Sequence, residues 1–346
     1  MSEGGRRVRR GRSARIAVTG TRLPLGAALV RRLNADPTAS AVVEIDAVTP
    51  NLAAELDGVD TVVHLDVDRS TDAPTDARRA TNIAGTNALL DAVNVAGVRR
   101  VVLLTSAMVY GASASNDVPL PEDAPLLPTA SDGLVGDWVA VERLAATRQA
   151  VSEGALEVVS VRPASLLGPV ADPLLPGLFE SVRLLAIRDG HCHWQFCHHD
   201  DLLDALAAAA TGAVSGVVTV GCDGWLERSQ VEAISGMRSV VLPAPVAFAT
   251  AERLHRVGAL SSPATDLHYL QHPWVVGSQQ LRATGWSPRW TNEAALADHV
   301  ARLGDRVGRS LVVVDRKYAT RAAAGAGATL AVIGSLTLAR SRLRRH

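Results

Sequence analysis

The stretch from residue 15 to residue 33 reads RIAVTGTRLPLGAALVRRL, and it decides the fold. Its first five residues form a short, mainly apolar run that ends at Gly20, which is typical of a buried strand followed by a tight turn. Pro24 to Leu33 then places apolar side chains at helical spacing, with proline in the first turn. The stretch therefore predicts a strand, a glycine turn and a helix in immediate succession.

The rest of the chain repeats this alternation. Apolar runs predict strands at residues 41–45, 61–65, 99–105 and 156–162, and helical patterns cover residues 52–56, 80–96, 132–153 and 202–210. Such alternation predicts right-handed βαβ units, and hence an α/β fold with a doubly wound parallel sheet of the Rossmann type over residues 15–170. Beyond residue 170 the pattern becomes irregular. We therefore expect a smaller C-terminal lobe, residues 171–310, interleaved with the core.

Composition narrows the class of protein. The chain has 346 residues, of which 47% are hydrophobic, enough to bury one large core or two modest ones. Lysine plus arginine number 35 and aspartate plus glutamate also 35, so no overall charge favours a nucleic-acid partner. Three cysteines without framework spacing favour a reducing compartment, and we expect a cytoplasmic domain. The arginine-rich residues 1–14 predict a disordered basic tail.

The turn at residues 19–26, TGTRLPLG, lies where a dinucleotide-binding loop belongs, between the first strand and the first helix. Glycines there allow a tight turn and close approach of a pyrophosphate, which the helix N-terminus attracts. We therefore take Gly20, Thr21, Arg22 and Gly26 as candidate cofactor-binding residues. Leu23 stands at the middle glycine position, where its side chain would crowd the phosphates.

Six further motifs follow the loop in order along the chain. They are VVHL (62–65), NIAGT (82–86), TSAMVYG (105–111), VRP with GP (161–169), HDD (199–201) and GWSP (285–288). In these residues the chain resembles the extended short-chain dehydrogenase/reductase family, specifically its NAD-dependent epimerase/dehydratase group. The resemblance covers residues 15 to about 300, and it implies NAD or NADP as cofactor and a nucleotide or nucleotide-sugar ligand.

The resemblance also assigns candidate roles to single residues. It places Leu65 beside the cofactor and makes Ser106 the hydroxyl that polarises the substrate. Tyr110, Arg162 and His199 become candidate substrate contacts. An arginine beside a loop-starting proline is as often a structural ion-pair partner, so both interpretations of Arg162 stay open.

The departures from the family pattern lie mainly at the positions of its active-site residues. The family carries an active-site Tyr-x-x-x-Lys pair, usually with a glutamate four residues after the lysine; the tyrosine is the general acid/base and the lysine lowers its pKa. Alignment on Glu142 puts Leu134 at the tyrosine position and Trp138 at the lysine position. The only lysine in the chain is Lys317, and Val313 lies four residues before it. The chain is therefore expected to be a degenerate member of the family.

Two acidic features leave cofactor binding open. One strand of the family pattern is missing between the first helix and VVHL, so Asp46 ends either the second strand, where an acid binds the ribose, or the third, beside the adenine. The spacing from Asp46 to Asp60 favours the third strand. Asp66 and Asp68 follow VVHL, where carboxylates repel a pyrophosphate. The family resemblance thus implies binding of NAD or NADP, whereas the carboxylates after VVHL oppose it.

Residues 191–201 contain several histidines, cysteines and aspartates. On a strand these side chains alternate between opposite faces, so we expect no metal site there.

Residues 322–339, AAAGAGATLAVIGSLTLA, are eighteen residues without a charge, and arginines flank them on both sides. This is the minimum length for a spanning helix. We take the segment as a C-terminal apolar helix and a candidate membrane anchor.

Three functions fit the sequence. The leading hypothesis is a pseudoenzyme, a ligand-binding or partner-binding module at a membrane. The second is a working NAD(P)-dependent epimerase, dehydratase or reductase that acts on a nucleotide sugar with unconventional residues such as Ser106, Tyr110 or His199. The third is a structural subunit of a membrane complex.

Overall fold

The computed structural model describes residues 14–310, apart from residues 48, 71–74, 128–132, 173, 182, 259 and 261. The basic residues 1–13 and the predicted membrane segment at residues 322–339 lie outside the described residues. Of the helices in the described ranges, none is both long and apolar enough to cross a membrane.

The described strands follow the apolar runs of the sequence. They are β1 (Ala14–Thr19), β2 (Ala39–Ile45), β3 (Thr61–His64), β4 (Arg100–Leu104), β5 (Glu157–Pro163), β6 (Ser165–Leu167), β7 (Leu184–Ile187), β8 (Phe196–His198), β9 (Val217–Val220) and β10 (Ser239–Leu242). Six of them form one parallel sheet in the order β2-β1-β3-β4-β5-β9. The predicted α/β fold with a parallel Rossmann-type sheet is confirmed.

The described α-helices connect these strands. They are α1 (Pro24–Asn34), α2 (Leu52–Glu55), α3 (Thr75–Ala96), α4 (Gly133–Val151), α5 (His199–Thr211), α6 (Arg228–Ser235), α7 (Ala244–Arg256), α8 (Gln279–Ala283) and α9 (Asn292–Ser310). Short 3-10 helices cover Ala107–Tyr110, Pro176–Glu180 and Ala264–Leu270.

The sheet is buried on both faces because its strands are apolar in successive positions. Ile16 and Val18 of β1 pack into the core that contains Leu29 of α1 and Leu206 of α5, whereas Ala17 belongs to a second core with α2, α3 and α4. Successive side chains of a strand point to opposite faces, so continuous apolar runs serve both layers. The fold therefore has three layers, with helices on each side of the sheet.

The strand order reverses at β1. The chain leaves β1 to form β2 on one side and then returns to form β3 on the other. In open α/β sheets this reversal opens a crevice at the carboxyl ends of the two strands. Here the crevice lies between Gly20, after β1, and Leu65, after β3.

The structure corrects one sequence-based expectation about Asp46. The spacing favoured the third strand of the family pattern, but β2 pairs directly with β1, with Thr19 opposite Ile45. In a doubly wound sheet the strand in that place is the second one. Asp46 therefore directly follows the strand in the second position, because strand pairing rather than chain spacing fixes that position. That Asp46 meets the ribose of a cofactor stays a prediction.

The remaining strands build the smaller lobe. β6 pairs with β8 and β7 pairs with β10, each pair being parallel. β9 returns to the main sheet beside β5 before the chain enters α6. The C-terminal part also contacts the segment after β4, where the Tyr269 hydroxyl donates to the Met108 carbonyl at 2.5 Å.

A chain of hydrogen bonds joins the two strands at the crevice. The Thr19 hydroxyl accepts from the backbone N–H of Leu65 at 3.1 Å and lies 3.0 Å from Nδ1 of His64, whose Nε2 lies 3.3 Å from the Thr86 hydroxyl on α3. His64 is fully buried, and burial lowers its pKa to about 4. The neutral imidazole thus holds the ends of β1 and β3 against α3.

Replacement of Gly26 by alanine is expected to destabilise the fold. A Cβ at Gly26 would lie 2.3 Å from the carbonyl oxygen of Gly20, so the backbone must shift. Overpacking of this kind costs about 1–3 kcal/mol. Gly85→Ala is the matched control, because a Cβ there has nothing within 4 Å and alanine favours a helix. Urea unfolding measures both variants, and equal stability of Gly26→Ala and the parent would contradict this packing.

The buried His64 predicts a loss of stability in acid. Its folded pKa lies below the unfolded value of 6.5, so unfolding takes up a proton as the pH falls from about 6.5 to about 4. The loss from this group is up to about 3 kcal/mol. The free energy of unfolding of His64→Gln should vary less with pH over this window, whereas that of His191→Gln, at an exposed histidine, should follow the parent. Parallel pH profiles for His64→Gln and the parent would refute the assignment.

Candidate functional site

The glycine turn after β1 has the backbone of an anion-binding loop. Gly20 has a φ of +68°, and a Cβ there would lie 3.0 Å from the carbonyl carbon of Leu65. The Leu23 N–H donates to the Gly20 carbonyl at 3.0 Å, and α1 begins at Pro24 with no side chain capping its N-terminus. A helix start of this kind presents free N–H groups and the positive end of its dipole to the crevice.

Charged side chains gather beside this turn. Arg22 pairs with Asp46 at 2.8 Å, and the side chains are 87% and 38% exposed. Burial raises the pKa of Asp66, the Asp46 carboxylate adds to this rise, and Arg22 opposes it. The structure thus brings Arg22, Asp46 and the end of β3 together beside the Gly20 turn. That these residues hold a cofactor stays a prediction. The net charge of the group is negative, with one arginine between two carboxylates.

Leu23 lies at the entrance of this crevice. It is the residue before α1, and it is 49% exposed despite its apolar side chain. A leucine side chain is thus largely exposed directly before the start of the helix.

The two positions that carry chemistry in the family are apolar and buried. Leu134 is 2% exposed and Trp138 is 0% exposed, both on α4. The guanidinium carbon of Arg69 lies 5.6 Å from the centroid of a Trp138 ring, within reach of a cation–π contact. Arg69 also pairs with Asp172 at 2.8 Å, so its charge is balanced.

Ser106 follows β4, as predicted, and is 1% exposed. Its hydroxyl accepts from the backbone N–H of Met108 at 3.3 Å and so caps the 3-10 helix Ala107–Tyr110. The side chain therefore has a structural task. Its own proton stays available for one further hydrogen bond.

Tyr110 and Arg162 belong to a buried network. The Tyr110 hydroxyl donates to the Glu122 carbonyl at 2.8 Å, and the Arg162 guanidinium carbon lies 4.7 Å from the tyrosine ring centroid. Arg162 pairs with Glu142 through two of its nitrogens, and Glu142 also accepts from the Thr105 hydroxyl at 2.5 Å. Burial raises the pKa of Tyr110 to about 12. Of the two interpretations of Arg162, the geometry shows the ion pair.

His199 lies apart from these residues, at the start of α5. It is 6% exposed, and burial lowers its pKa while the neighbouring Asp200 opposes this. A Cβ at Gly168 would lie 3.0 Å from the Cβ of His199, so the histidine packs against the loop after β6. Its neighbour His198 stacks on Trp290, with ring centroids 3.7 Å apart. This segment packs the lobe against the core.

A second buried ion pair was not predicted from the sequence. Arg78 of α3 donates to Asp137 of α4 at 2.7 Å, and Asn82 and Asp68 exchange two hydrogen bonds beside it. Arg78 and Asp137 are 3% and 0% exposed. Among the described residues, Arg78 Nη2, Asp137 Oδ1 and Trp138 Nε1 are buried without a hydrogen-bond partner. No sequence motif indicates the Arg78–Asp137 pair, because the two residues are 59 positions apart in the chain.

The cysteines and histidines of residues 191–201 do not converge. The Cys192 thiol donates to the Tyr269 carbonyl, Cys197 and Cys222 are buried free thiols, and His193 stacks on Trp225. Within the described ranges no three histidine, cysteine or acidic side chains form a metal-binding group.

The comparisons with known proteins agree with this geometry. The model of the NAD dependent epimerase/dehydratase family matches residues 16–221, more than half of the chain. An uncharacterised protein of Mycobacterium tuberculosis is 27% identical over 318 residues, which cover 82% of each chain. An uncharacterised protein of Sinorhizobium fredii is 26% identical over 259 residues, covering 70% of this chain and 63% of the relative.

Solved structures share the fold. A dTDP-glucose 4,6-dehydratase from Streptomyces venezuelae with NAD and TYD bound has a TM-score of 0.63 and 22% identity, covering 85% of this chain and 98% of that chain. A Thermus thermophilus UDP-glucose 4-epimerase in complex with NAD has a TM-score of 0.61 and 18% identity, covering 84% and 99%. Motifs, sheet order and family model agree, and the chain belongs to the NAD-dependent epimerase/dehydratase family.

Proposed function

We propose that this chain is a ligand-binding member of its family that holds NAD in the crevice after β1 and has lost the family's tyrosine–lysine proton transfer. The observation that carries the proposal is the pair of buried apolar residues on α4, Leu134 and Trp138. Neither side chain exchanges a proton in water. The proposed role is to bind a nucleotide or nucleotide sugar, or a protein partner, rather than to convert it.

The neighbouring polar groups do not replace the missing pair. Ser106 caps a 3-10 helix, and Tyr110 donates to a backbone carbonyl. The raised pKa of Tyr110 opposes its use as an acid near neutral pH. Arg69 lies over a ring of Trp138, but it pairs with Asp172 and therefore supplies little free charge.

The crevice fits the adenosine diphosphate half of NAD. The Gly20 turn and the uncapped start of α1 suit a pyrophosphate, and Asp46 suits the two ribose hydroxyls. Asp46 and Asp66 oppose the extra phosphate of NADP, so we propose NAD as the preferred cofactor. When bound, NAD supplies a hydride acceptor. The related structures with bound nucleotides or sugar nucleotides support a ligand of that class here.

A working enzyme is the rival proposal, in which Ser106 or His199 acts without the tyrosine–lysine pair. The burial of Leu134 and Trp138 disfavours this rival. The two proposals differ in one observable, the conversion of an added sugar nucleotide.

Calorimetry on the full chain is expected to show binding of NAD in preference to NADP. Leu23→Gly should tighten NAD binding by about tenfold, because it clears the approach to the helix N-terminus, and Asp46→Asn should weaken it by about tenfold. Val257→Gly, an exposed valine on the other lobe, is the matched control and should leave binding unchanged. Absence of NAD binding by both the parent and Leu23→Gly would overturn the cofactor proposal.

The same samples test catalysis. With UDP-glucose or dTDP-glucose added, NADH absorbance should stay at baseline, and neither sugar nucleotide should be converted when products are separated by chromatography. Conversion above the level of a heat-treated sample would establish the rival proposal.

We also propose that residues 322–339 attach the protein to a membrane, with the folded part on the cytoplasmic side. The support is the sequence alone, eighteen uncharged residues between arginine-rich flanks.

Deletion of residues 322–346 should move the protein from the membrane fraction to the supernatant of a cell lysate. Replacement of Leu330 and Ile333 by arginine in the full chain should do the same, because charges at the centre of a span are costly. Replacement of Ser341 by arginine, in the basic flank, is the control and should leave the distribution unchanged. Full chain in the supernatant would contradict the anchor.

A further inference from the structure

A small apolar cavity lies beside Met108, between the core and the C-terminal lobe. Its volume is about 80 Å³, and leucines dominate its wall, among them Leu175, Leu178, Leu185 and Leu270. Met108 follows Ser106 directly after β4, so the cavity opens at the carboxyl end of the sheet. Ligands of α/β proteins bind at this end of the strands.

One acidic side chain enters this apolar wall. Asp266 lines the cavity from the 3-10 helix Ala264–Leu270, and its Oδ2 is buried with no hydrogen-bond partner in the described part of the chain. Burial raises the pKa of Asp266 to about 7, while Arg78 and a hydrogen bond from Ser262 oppose the rise. A buried acid without a full set of partners is costly, which is typical of a group that a ligand completes.

The cations around Asp266 do not fully neutralise the negative charge of its carboxylate. Arg78, the cation that acts on it, pairs with Asp137 through Nε at 2.7 Å, whereas its Nη2 has no hydrogen-bond partner among the described residues. Arg183 also lines the cavity but is exposed, so water screens its charge. The cavity therefore presents leucine side chains and one carboxyl group whose charge the Arg78–Asp137 pair does not balance.

We propose that this cavity binds a small apolar primary amine, with its ammonium group on the Asp266 carboxylate and its alkyl group among the leucines. The inference goes beyond the proposed NAD site and does not require NAD. It names a second ligand class, different from the nucleotide sugars bound by structures of the same fold.

The cavity wall disfavours the other ligand classes. A sugar would leave several hydroxyls without partners against leucine, and each unpaired group costs free energy. A carboxylic acid would place its charge beside Asp266. An alcohol fits the wall but gains only a neutral hydrogen bond, whereas an ammonium gains a charge-assisted one.

The volume limits the size of the amine. A cavity of about 150 Å³ takes up benzene. The smaller cavity here suits a short branched alkyl group, with any larger part in its opening.

Three isosteric probes test the proposal on the full chain without NAD. They are 3-methylbutylamine, 3-methylbutanol and 3-methylbutanoate, measured by saturation-transfer NMR and calorimetry. The amine should bind at least tenfold more tightly than the other two. Asp266→Asn should weaken the amine by about tenfold to a hundredfold and change the alcohol little, as expected for loss of a charge-assisted bond. Asp117→Asn, at an exposed aspartate, is the matched control.

A second variant separates binding from folding. Ala251 lines the cavity from α7 and is 1% exposed, so Ala251→Leu should fill the cavity and abolish binding of both amine and alcohol. Thermal unfolding of each variant shows whether the fold is retained. Equal binding of alcohol and amine, amine binding that survives Asp266→Asn, or no binding of the amine by the parent would each overturn the proposal. These outcomes are independent of NAD binding.

Discussion

The ion pair of Glu142 and Arg162 fixes the geometry of the cleft. Both side chains are buried, Arg162 at the end of β5 and Glu142 on α4, and the Thr105 hydroxyl after β4 joins them. The desolvation cost of such a pair offsets much of its attraction, so it contributes direction more than stability. It sets the rotation of α4 about its axis. Trp138 and Leu134, four and eight residues before Glu142, then share the face that points to the sheet.

This arrangement explains how the chain can keep the family's fold without the tyrosine and lysine of the family's active site. The pair needs only Glu142, Arg162 and Thr105, and the crevice needs only the turn at Gly20 and the packing at Gly26. Neither the ion pair nor the crevice depends on residues 134 and 138. Apolar side chains can therefore take these two positions and be buried in the core. Burial of the Trp138 side chain stabilises the core, whereas a lysine buried at this position would need a partner for its charge.

The strands and the glycine turn could be predicted from the sequence, because buried parallel strands read as apolar runs and the turn needs glycine. Interactions between distant segments could not. α3 begins at Thr75 rather than near residue 80, with Arg78 bonded to Asp137 on another helix. For Asp46 the spacing left both strands open and favoured the third, because chain spacing does not show which strand pairs with β1. His64 was quoted in a motif, but its link between Thr19 and Thr86 needs three dimensions.

The electrostatics around α4 differ from those of a site that activates a tyrosine. Such a site needs an unbalanced cation to lower the phenol pKa. Here three buried or half-buried arginines each face an acid: Arg69 with Asp172, Arg78 with Asp137, and Arg162 with Glu142. Within the described part of the chain Asp66 and Asp266 form no such ion pair, and burial raises the pKa of each. In this cleft the arginines are paired with acids, whereas some carboxyl groups have no arginine partner. Such a cleft favours binding of hydrogen-bond donors and cations, and it does not favour removal of a proton from a hydroxyl group.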